Sequence, residues 1–193
     1  MDIAQAADVL GGHFGFVAGD ENKLIHSLGL PSGAYVLDVG TGMGHSAILL
    51  ALNGYRVLTG EPESDESIYA RQDWLGNVQK VGVDHLISFR PFSADAMPFD
   101  DDTFDAAFFL GVLHHVDEEI RAKVLAESVR ACKPNAPVCL LEPNDKTLRR
   151  VKEQDPSHPD AADPSEYAGG LGLSLEKQHL QFFDAFVFRR SPA

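Results

Sequence analysis

The sequence has few of the residues that mark secreted, metal-binding or membrane proteins. It contains only two cysteines among 193 residues, Cys132 and Cys139, and neither has a partner at metal-ligand spacing. We expect both to be buried thiols, because disulfides are rare inside cells. The longest apolar runs are far shorter than the roughly 20 residues of a membrane helix, and Asp2 and Asp8 stand where a signal peptide would be basic. These absences predict a cytoplasmic protein without a membrane span.

Basic residues are also scarce. The chain has 16 Lys and Arg against 29 Asp and Glu, a formal net charge of −13. Because binding to phosphates needs a clustered excess of cationic side chains, nucleic acid is not an expected partner. The basic stretch 146–152 is expected to be a solvated surface segment. Hydrophobic residues make up 44% of the chain, an ordinary globular composition, and the length suits one domain over residues 1–193.

The arrangement of apolar residues predicts an α/β fold. From Ala34 onward, short apolar runs alternate with longer amphipathic runs, a pattern typical of parallel strands connected by helices in a doubly wound sheet. Helices are predicted at 44–53 and 117–132. The predicted strands are 35–39, 55–59, 87–92, 104–110 and 137–142.

The segments on either side of this core, which spans 34–142, are less regular. Residues 1–33 are predicted to hold two helices, 3–10 and 21–28, separated by a glycine-rich and aromatic segment at 11–16. Part of that segment, 12–16, is a candidate lid with glycine hinges, and plain core packing is the alternative. In the C-terminal segment, 143–193, we expect an irregular stretch at 143–164 and a closing hairpin within 173–190.

The most informative segment is 36–46, where an apolar strand ends in Asp38 and is followed by Gly40, Gly42 and Gly44 and then a helix. Glycine permits positive φ and has no Cβ, so a ligand can approach the backbone closely. The free N–H groups at the helix start attract a carboxylate or a phosphate. Dinucleotide-binding turns favour the spacing G-x-G-x-x-G, whereas this turn has G-x-G-x-G.

This turn resembles the S-adenosylmethionine (SAM) binding turn of class I methyltransferases. The resemblance implies a Rossmann-like, seven-stranded, mostly parallel sheet with helices on both faces. It also implies that Asp38 helps to hold the amino group of SAM. The turn residues expected to lie beneath the methionine part are Gly40, Thr41, Gly42 and Gly44.

Two further acids extend the resemblance. Glu61, followed by Pro62, ends the second predicted strand, where the family has an acid that accepts hydrogen bonds from both ribose hydroxyls. In the segment 93–99, the resemblance implies that Asp95 accepts the adenine amino group and that the backbone N–H of Ala96 faces a ring nitrogen. An exposed acid and a turn cap are the alternatives for Glu61 and Asp95.

The segment 110–116, Leu-Gly-Val-Leu-His-His-Val, ends the fourth predicted strand. Ligands of open α/β sheets lie beyond such strand ends, and in this family the same loop borders the transferring methyl group. Leu110 and Gly111 are expected to contact the cofactor, although similar enzymes often carry a polar residue where Gly111 stands. His114 is the candidate general base, with helix capping or core packing as alternatives. Candidate acceptor contacts are His13, Phe14 and His115.

Together these features predict a SAM-dependent methyltransferase that acts on a small molecule and releases S-adenosylhomocysteine. No metal ligand is predicted, and the sequence makes no prediction of the oligomeric state. Two alternatives stay open. One is a non-catalytic SAM-binding module or partner subunit, and the other is an NAD-dependent oxidoreductase.

Overall fold

Seven strands form a single sheet in the computed structural model, which describes residues 1–66 and 70–190. The strand order is β3-β2-β1-β4-β5-β7-β6. Strands β1 to β5 are parallel, and β7 runs antiparallel to both β5 and β6. The mostly parallel sheet is therefore confirmed. Its strands are β1 Tyr35–Val39, β2 Arg56–Gly60, β3 Ile87–Phe89, β4 Ala106–Leu110, β5 Val138–Pro143, β6 Leu173–His179 and β7 Phe183–Arg190.

Both faces of the sheet are covered, as predicted. Side chains alternate along a strand, so that Ala106 and Phe108 of β4 pack on one side and Ala107 and Phe109 on the other. The first face carries α1 to α4 and the second carries α5. Within the described residues the helices are α1 Ile3–Leu10, α2 Gly12–Leu28, α3 His45–Leu52, α4 Trp74–Val81, α5 Glu118–Ala131 and α6 Asp145–Gln154.

The predicted break at 11–16 is wrong, because α2 already begins at Gly12. Gly11, at φ +87°, is the residue that separates it from α1. Phe14, Val17 and Leu24 recur at helical spacing and are buried against the sheet. Their burial outweighs the roughly 0.5–1 kcal/mol that each internal glycine costs a helix.

Two helices were not predicted. The stretch 143–164, expected to be irregular, contains α6, whose start is capped by Asn144 accepting the N–H of Thr147 at 3.1 Å. Helix α6 has only two apolar residues, Leu148 and Val151, which is too few for an apolar stripe to stand out in the sequence. Helix α4 is short, and Asp73 caps it by accepting the N–H of Gly76.

The remaining expectations agree with the structure in outline. Strands β6 and β7 form the predicted hairpin, while β3 ends three residues earlier than expected and β4 begins two residues later. Cys132 and Cys139 are buried free thiols. Among the described residues, no helix has both the length and the apolar character needed to cross a membrane.

Candidate functional site

Two adjacent cavities open at the carboxyl ends of the parallel strands. The first, of about 450 Å³, lies beyond the ends of β1 and β2 and is lined by Gly60 and Glu61 among others. The second, of about 310 Å³, lies beyond the ends of β4 and β5 and is lined by Leu110 and Pro143 among others. Gly40 and Gly42 line both cavities. The crevice therefore lies where the strand order reverses, between β1 and β4, which is the usual ligand position in such sheets.

The three glycines of the turn after β1 serve different purposes. A Cβ at Gly40 would approach the Val112 side chain to 2.7 Å, and one at Gly44 would lie 3.3 Å from the Cβ of Trp74. A Cβ at Gly42, where φ is +47°, would meet no atom of the described residues within 4 Å apart from its two chain neighbours. Gly40 and Gly44 are thus required by packing, whereas Gly42 leaves open space that a ligand can fill.

Asp38 lies beneath this turn. Its side chain is 1% exposed and is not among the residues that line either cavity. Thr59 Oγ1 donates to Oδ2 of Asp38 at 2.7 Å and lies 2.9 Å from Thr41 Oγ1. Oδ1 of Asp38 has no partner among the described residues. Burial raises the pKa of Asp38 to about 7, against the opposing effect of the hydrogen bond from Thr59. In this geometry Asp38 supports the turn from below and does not form the wall of the cavity.

A second buried acid, Glu21 on α2, lies beside it. Ser46 Oγ donates to Glu21 Oε1 at 2.6 Å. Burial raises the pKa of Glu21 to about 8, and the nearby carboxylate of Asp38 raises it further. No sequence motif marks Glu21, because only the packing of α2 against α3 brings it under the glycine turn.

Glu61 lies on the wall of the first cavity with Pro62. The backbone N–H of Gly42 donates to its Oε2 at 3.2 Å, and burial raises the pKa of the carboxyl. The end of β2 and the glycine turn are thereby tied together. Glu61 is thus part of the crevice and not a solvated turn residue.

Asp95 also lines the first cavity, and both of its oxygens have protein partners. Ser93 Oγ donates to Oδ1 at 2.5 Å and Lys123 Nζ donates to Oδ2 at 3.0 Å, which together lower the pKa of Asp95. The expectation for Ala96 is not supported, because its N–H donates to the Ser93 carbonyl at 3.1 Å within a tight turn. Ala94 lies on the cavity wall instead.

The loop after β4 brings a buried histidine–carboxylate contact to the second cavity. His114 lines this cavity, and its Nδ1 lies 2.6 Å from Oε2 of Glu142. The N–H of Leu113 donates to the other oxygen of Glu142 at 3.0 Å. Gly111, at φ +63°, donates its N–H to the Leu141 carbonyl at 2.8 Å and provides the bend between Leu110 and this pair.

A methyltransferase domain profile matches residues 37–140, more than half of the chain, and covers the strands that build this crevice. The chain belongs to the class I SAM-dependent methyltransferase family. The NAD-dependent oxidoreductase is thereby removed from the alternatives.

Relatives and a solved structure agree with this assignment. The chain is 29% identical over 129 residues to an O-methyltransferase of Aspergillus sclerotiorum, covering 63% of this chain and 47% of that protein. It is 30% identical over 137 residues to a ubiquinone/menaquinone biosynthesis C-methyltransferase of a Marinomonas species, covering 67% and 52%. The chain thus spans about half the length of these curated relatives. A crystal structure of a SAM-dependent methyltransferase from Aquifex aeolicus shares the fold, with a TM-score of 0.67 and 18% identity over 99% of this chain and 100% of that one.

The N-terminal residues of this methyltransferase domain differ from the expectation. Phe14 is 0% exposed and packs edge-on against His45, so it is a core residue and not an acceptor contact. The candidate lid at 12–16 forms the first turn of α2, where the burial of Phe14 matches the core-packing alternative and Phe16 lines the second cavity. His13 does line the second cavity, with its Nδ1 3.2 Å from Nδ1 of His45. Burial lowers the pKa of both imidazoles, that of His45 to about 4.

For several residues in or behind the crevice, the sequence did not predict the role or the position that the structure shows. Glu142 ended a predicted strand without an assigned role, and His45 follows the last glycine of the turn. His158 lies in the polar stretch after α6 and lines the second cavity. His115, predicted as an acceptor contact, lines the first cavity instead. These positions are defined only by contacts between segments that are distant in the chain.

Proposed function

We propose that this chain is a methyltransferase that binds SAM in the crevice, transfers its methyl group to a small molecule and releases S-adenosylhomocysteine. The observation that carries the proposal is the open space at Gly42, which joins two cavities at the strand ends. We also propose that residues 1–193 act as one domain, with the SAM-binding core at 34–142.

The first cavity has the chemistry required by a nucleoside. Glu61 provides carboxylate oxygens for the ribose hydroxyls, and Asp95 retains lone pairs for an amino group, since each carboxylate oxygen can accept more than one hydrogen bond. The apolar side chains of Phe92, Val112 and Ile120 would cover the faces of the base. These residues fit adenosine, and we assign the adenosine part of SAM to the first cavity.

The second cavity would hold the methionine part of SAM and the acceptor. Thr41 and Leu110 lie on its wall next to the glycine turn. SAM supplies a methyl group that is already electrophilic because it is bound to a sulfonium. The protein's contribution is to place the acceptor in line and to keep water away, and proximity alone can account for much of the rate.

His114 is the residue that we assign to the acceptor. An ionised carboxylate can only accept hydrogen bonds, so we assign the proton of the contact with Glu142 to His114 Nδ1, which would leave Nε2 able to receive one. A hydroxyl or an activated carbon must lose a proton to be methylated, and Nε2 would take it. The names of the two relatives, an O- and a C-methyltransferase, agree with acceptors of this kind.

The experiment that tests the proposal begins with calorimetric titration of the protein with SAM, with NAD as the control ligand. Methyl-labelled SAM is then incubated with the protein and panels of phenols, alcohols, quinols and amines, and labelled products are identified by mass spectrometry. We expect SAM binding and at least one labelled small molecule. Absence of SAM binding contradicts the proposal, and SAM binding without a labelled product from any panel or metabolite extract favours the non-catalytic module.

A further inference from the structure

Two neighbouring histidines, His114 and His115, meet a third from a distant segment, His158, where the two cavities join. One ring nitrogen from each of His114, His115 and His158 lies within 4.8 Å of the other two. The ring centroids are 4.2 Å apart for His114 and His115, and 5.1 and 5.2 Å from these two rings to that of His158. His114 and His158 line the second cavity and His115 lines the first, so the cluster borders both.

The groups around the cluster orient two of the rings as a metal site requires. His114 Nδ1 is 2.6 Å from the buried carboxylate of Glu142, and His158 Nδ1 is 2.9 Å from the backbone carbonyl of Pro159. Histidines that bind metals usually donate their other N–H to a carboxylate or a backbone carbonyl. In both residues this arrangement leaves Nε2 as the available ligand atom.

The three rings differ in burial, and this decides which of them can move. His114 is buried and fixed by Glu142. His158 is half-buried in the irregular segment that follows α6 and His115 is exposed, so these two rings can adjust their positions.

We propose that His114, His115 and His158 bind one divalent transition-metal ion, for which Zn²⁺ is the best match. Three imidazoles with an open fourth position are a known ligand set of catalytic zinc. Zn–N bonds of roughly 2.0–2.1 Å in a tetrahedron require nitrogens about 3.3 Å apart. The present separations therefore need to shorten by at most about 1.5 Å, which rotations of the exposed His115 and half-buried His158 side chains would supply.

The position of the site indicates what its fourth ligand would be. An acceptor bound in the second cavity through a hydroxyl or carboxylate oxygen would reach the ion from the crevice. With the ion bound, His114 Nε2 is a ligand and cannot receive a proton, so the role of His114 as base belongs to the ion-free protein. The inference itself does not depend on methyl transfer, because metal binding is measured without either substrate.

The test uses tag-free protein that has been stripped with a chelator and dialysed. Zn²⁺ affinity is measured by competition with a chromogenic chelator, and the absorption spectrum of the Co²⁺ form reports the coordination number. We expect one equivalent of metal and a four-coordinate Co²⁺ spectrum. His158→Ala and His115→Ala should each weaken Zn²⁺ binding at least about tenfold, and Glu142→Gln should weaken it about 10–100-fold.

Two variants serve as controls. His85→Ala removes an exposed histidine elsewhere on the surface, and His13→Ala removes one member of the His13–His45 pair. Both should bind Zn²⁺ as the parent does. Circular dichroism and thermal unfolding confirm that each variant is folded, and His158→Ala, in an irregular segment, is the variant that best preserves the core.

The proposal is overturned if the parent binds less than one equivalent, if His158→Ala and His115→Ala bind as tightly as the parent, or if His13→Ala is the variant that loses the ion. SAM titrations on the same samples separate this result from the proposed function. Zinc binding without SAM binding supports the metal site and contradicts the proposed function. SAM binding without zinc binding supports the proposed function and contradicts the metal site.

Discussion

The two cavities of the crevice are built in different ways. The wall of the first comes largely from segments with a recognisable local pattern, namely the glycine turn, the acid after β2 and the segment around Asp95. The second is assembled from α2, the ends of β4 and β5, α6 and the segment around His158. Under the proposed function, the first cavity holds the adenosine part of the cofactor that the family shares. The second holds the methionine part together with the acceptor, which distinguishes this chain.

The polar groups of the two cavities also differ in kind. In the first they are carboxylates: Glu61 accepts from the N–H of Gly42, and Asp95 accepts from Ser93 and Lys123. In the second the principal contacts are made by imidazoles, His114 with Glu142 and His13 with His45. Changes in the first cavity should therefore affect SAM binding, and changes in the second should affect turnover.

The largest effect on SAM binding is expected at Gly42, where the two cavities join. Gly42→Val places a β-branched side chain at φ +47° and fills the open space beside the turn. We expect SAM affinity measured by calorimetry to fall on the order of 100-fold or more, because such overlap costs roughly 1–3 kcal/mol beyond the lost contacts. Gly33→Val is the matched control, with φ +73° and open space but no place in either cavity. Equal losses of SAM affinity in the two variants would contradict this assignment of Gly42.

The next effect concerns the second cavity alone. His114→Gln keeps a donor for Glu142 but removes the nitrogen that receives a proton. We expect initial rates to fall about 10²–10⁴-fold, while SAM affinity changes less than about twofold. His85→Gln is the control for removal of an exposed histidine. If SAM affinity fell as much as turnover, the division of roles between the cavities would be wrong.

A smaller effect is expected for the first cavity alone. Glu61→Ala removes the carboxylate that is tied to the Gly42 N–H, and we expect SAM binding to weaken by about 1–3 kcal/mol. The maximal rate at saturating SAM should change little. Glu63→Ala removes an exposed acid two residues further on and should bind SAM normally. Unchanged affinity in Glu61→Ala would remove this residue from the site.

The smallest effect concerns Glu21 and Asp38, the two buried acids beneath the glycine turn. Burial raises the pKa of Glu21 from its ordinary 4.5 to about 8, so the folded state holds a proton that the unfolded state has released between these values. Glu21 therefore contributes stability that is fully present below about pH 4.5 and is lost as the pH rises through 8. Asp38, with a pKa raised to about 7, acts in the same direction.

In Glu21→Gln this dependence should be weaker, because the amide stays neutral and its oxygen can still accept from Ser46. Thermal unfolding between pH 6 and 9 measures the effect, and each ~1 kcal/mol of stability corresponds to roughly 2–4 °C in Tm. Glu63→Gln, at an exposed acid, should follow the parent. A parent Tm that rises across this range, or a Glu21→Gln variant as pH-sensitive as the parent, would contradict the burial of a neutral Glu21.

The sequence predictions were more accurate where a local motif forms the site than where contacts between segments form it. Strand β1 was predicted at its observed bounds, and Gly42, Glu61 and Asp95 lie on the crevice as expected, because a turn between a strand and a helix is governed by local backbone chemistry. Asp38 was predicted from its position in the motif but lies under the turn. Its side-chain direction depends on Thr59 in the neighbouring strand, which the motif does not describe.

The sequence by itself determined the class of fold, the order of the first five strands along the chain and the turn that defines the family. These features rest on the alternation of apolar residues and on glycine's backbone freedom, which act over a few neighbouring positions. Only the tertiary structure decided that Phe14 is a core residue, that Glu142 supports His114, and that His158 reaches the same cluster. Those contacts join distant segments, and their geometry is set by how helices pack on the sheet, which no local pattern in the chain encodes.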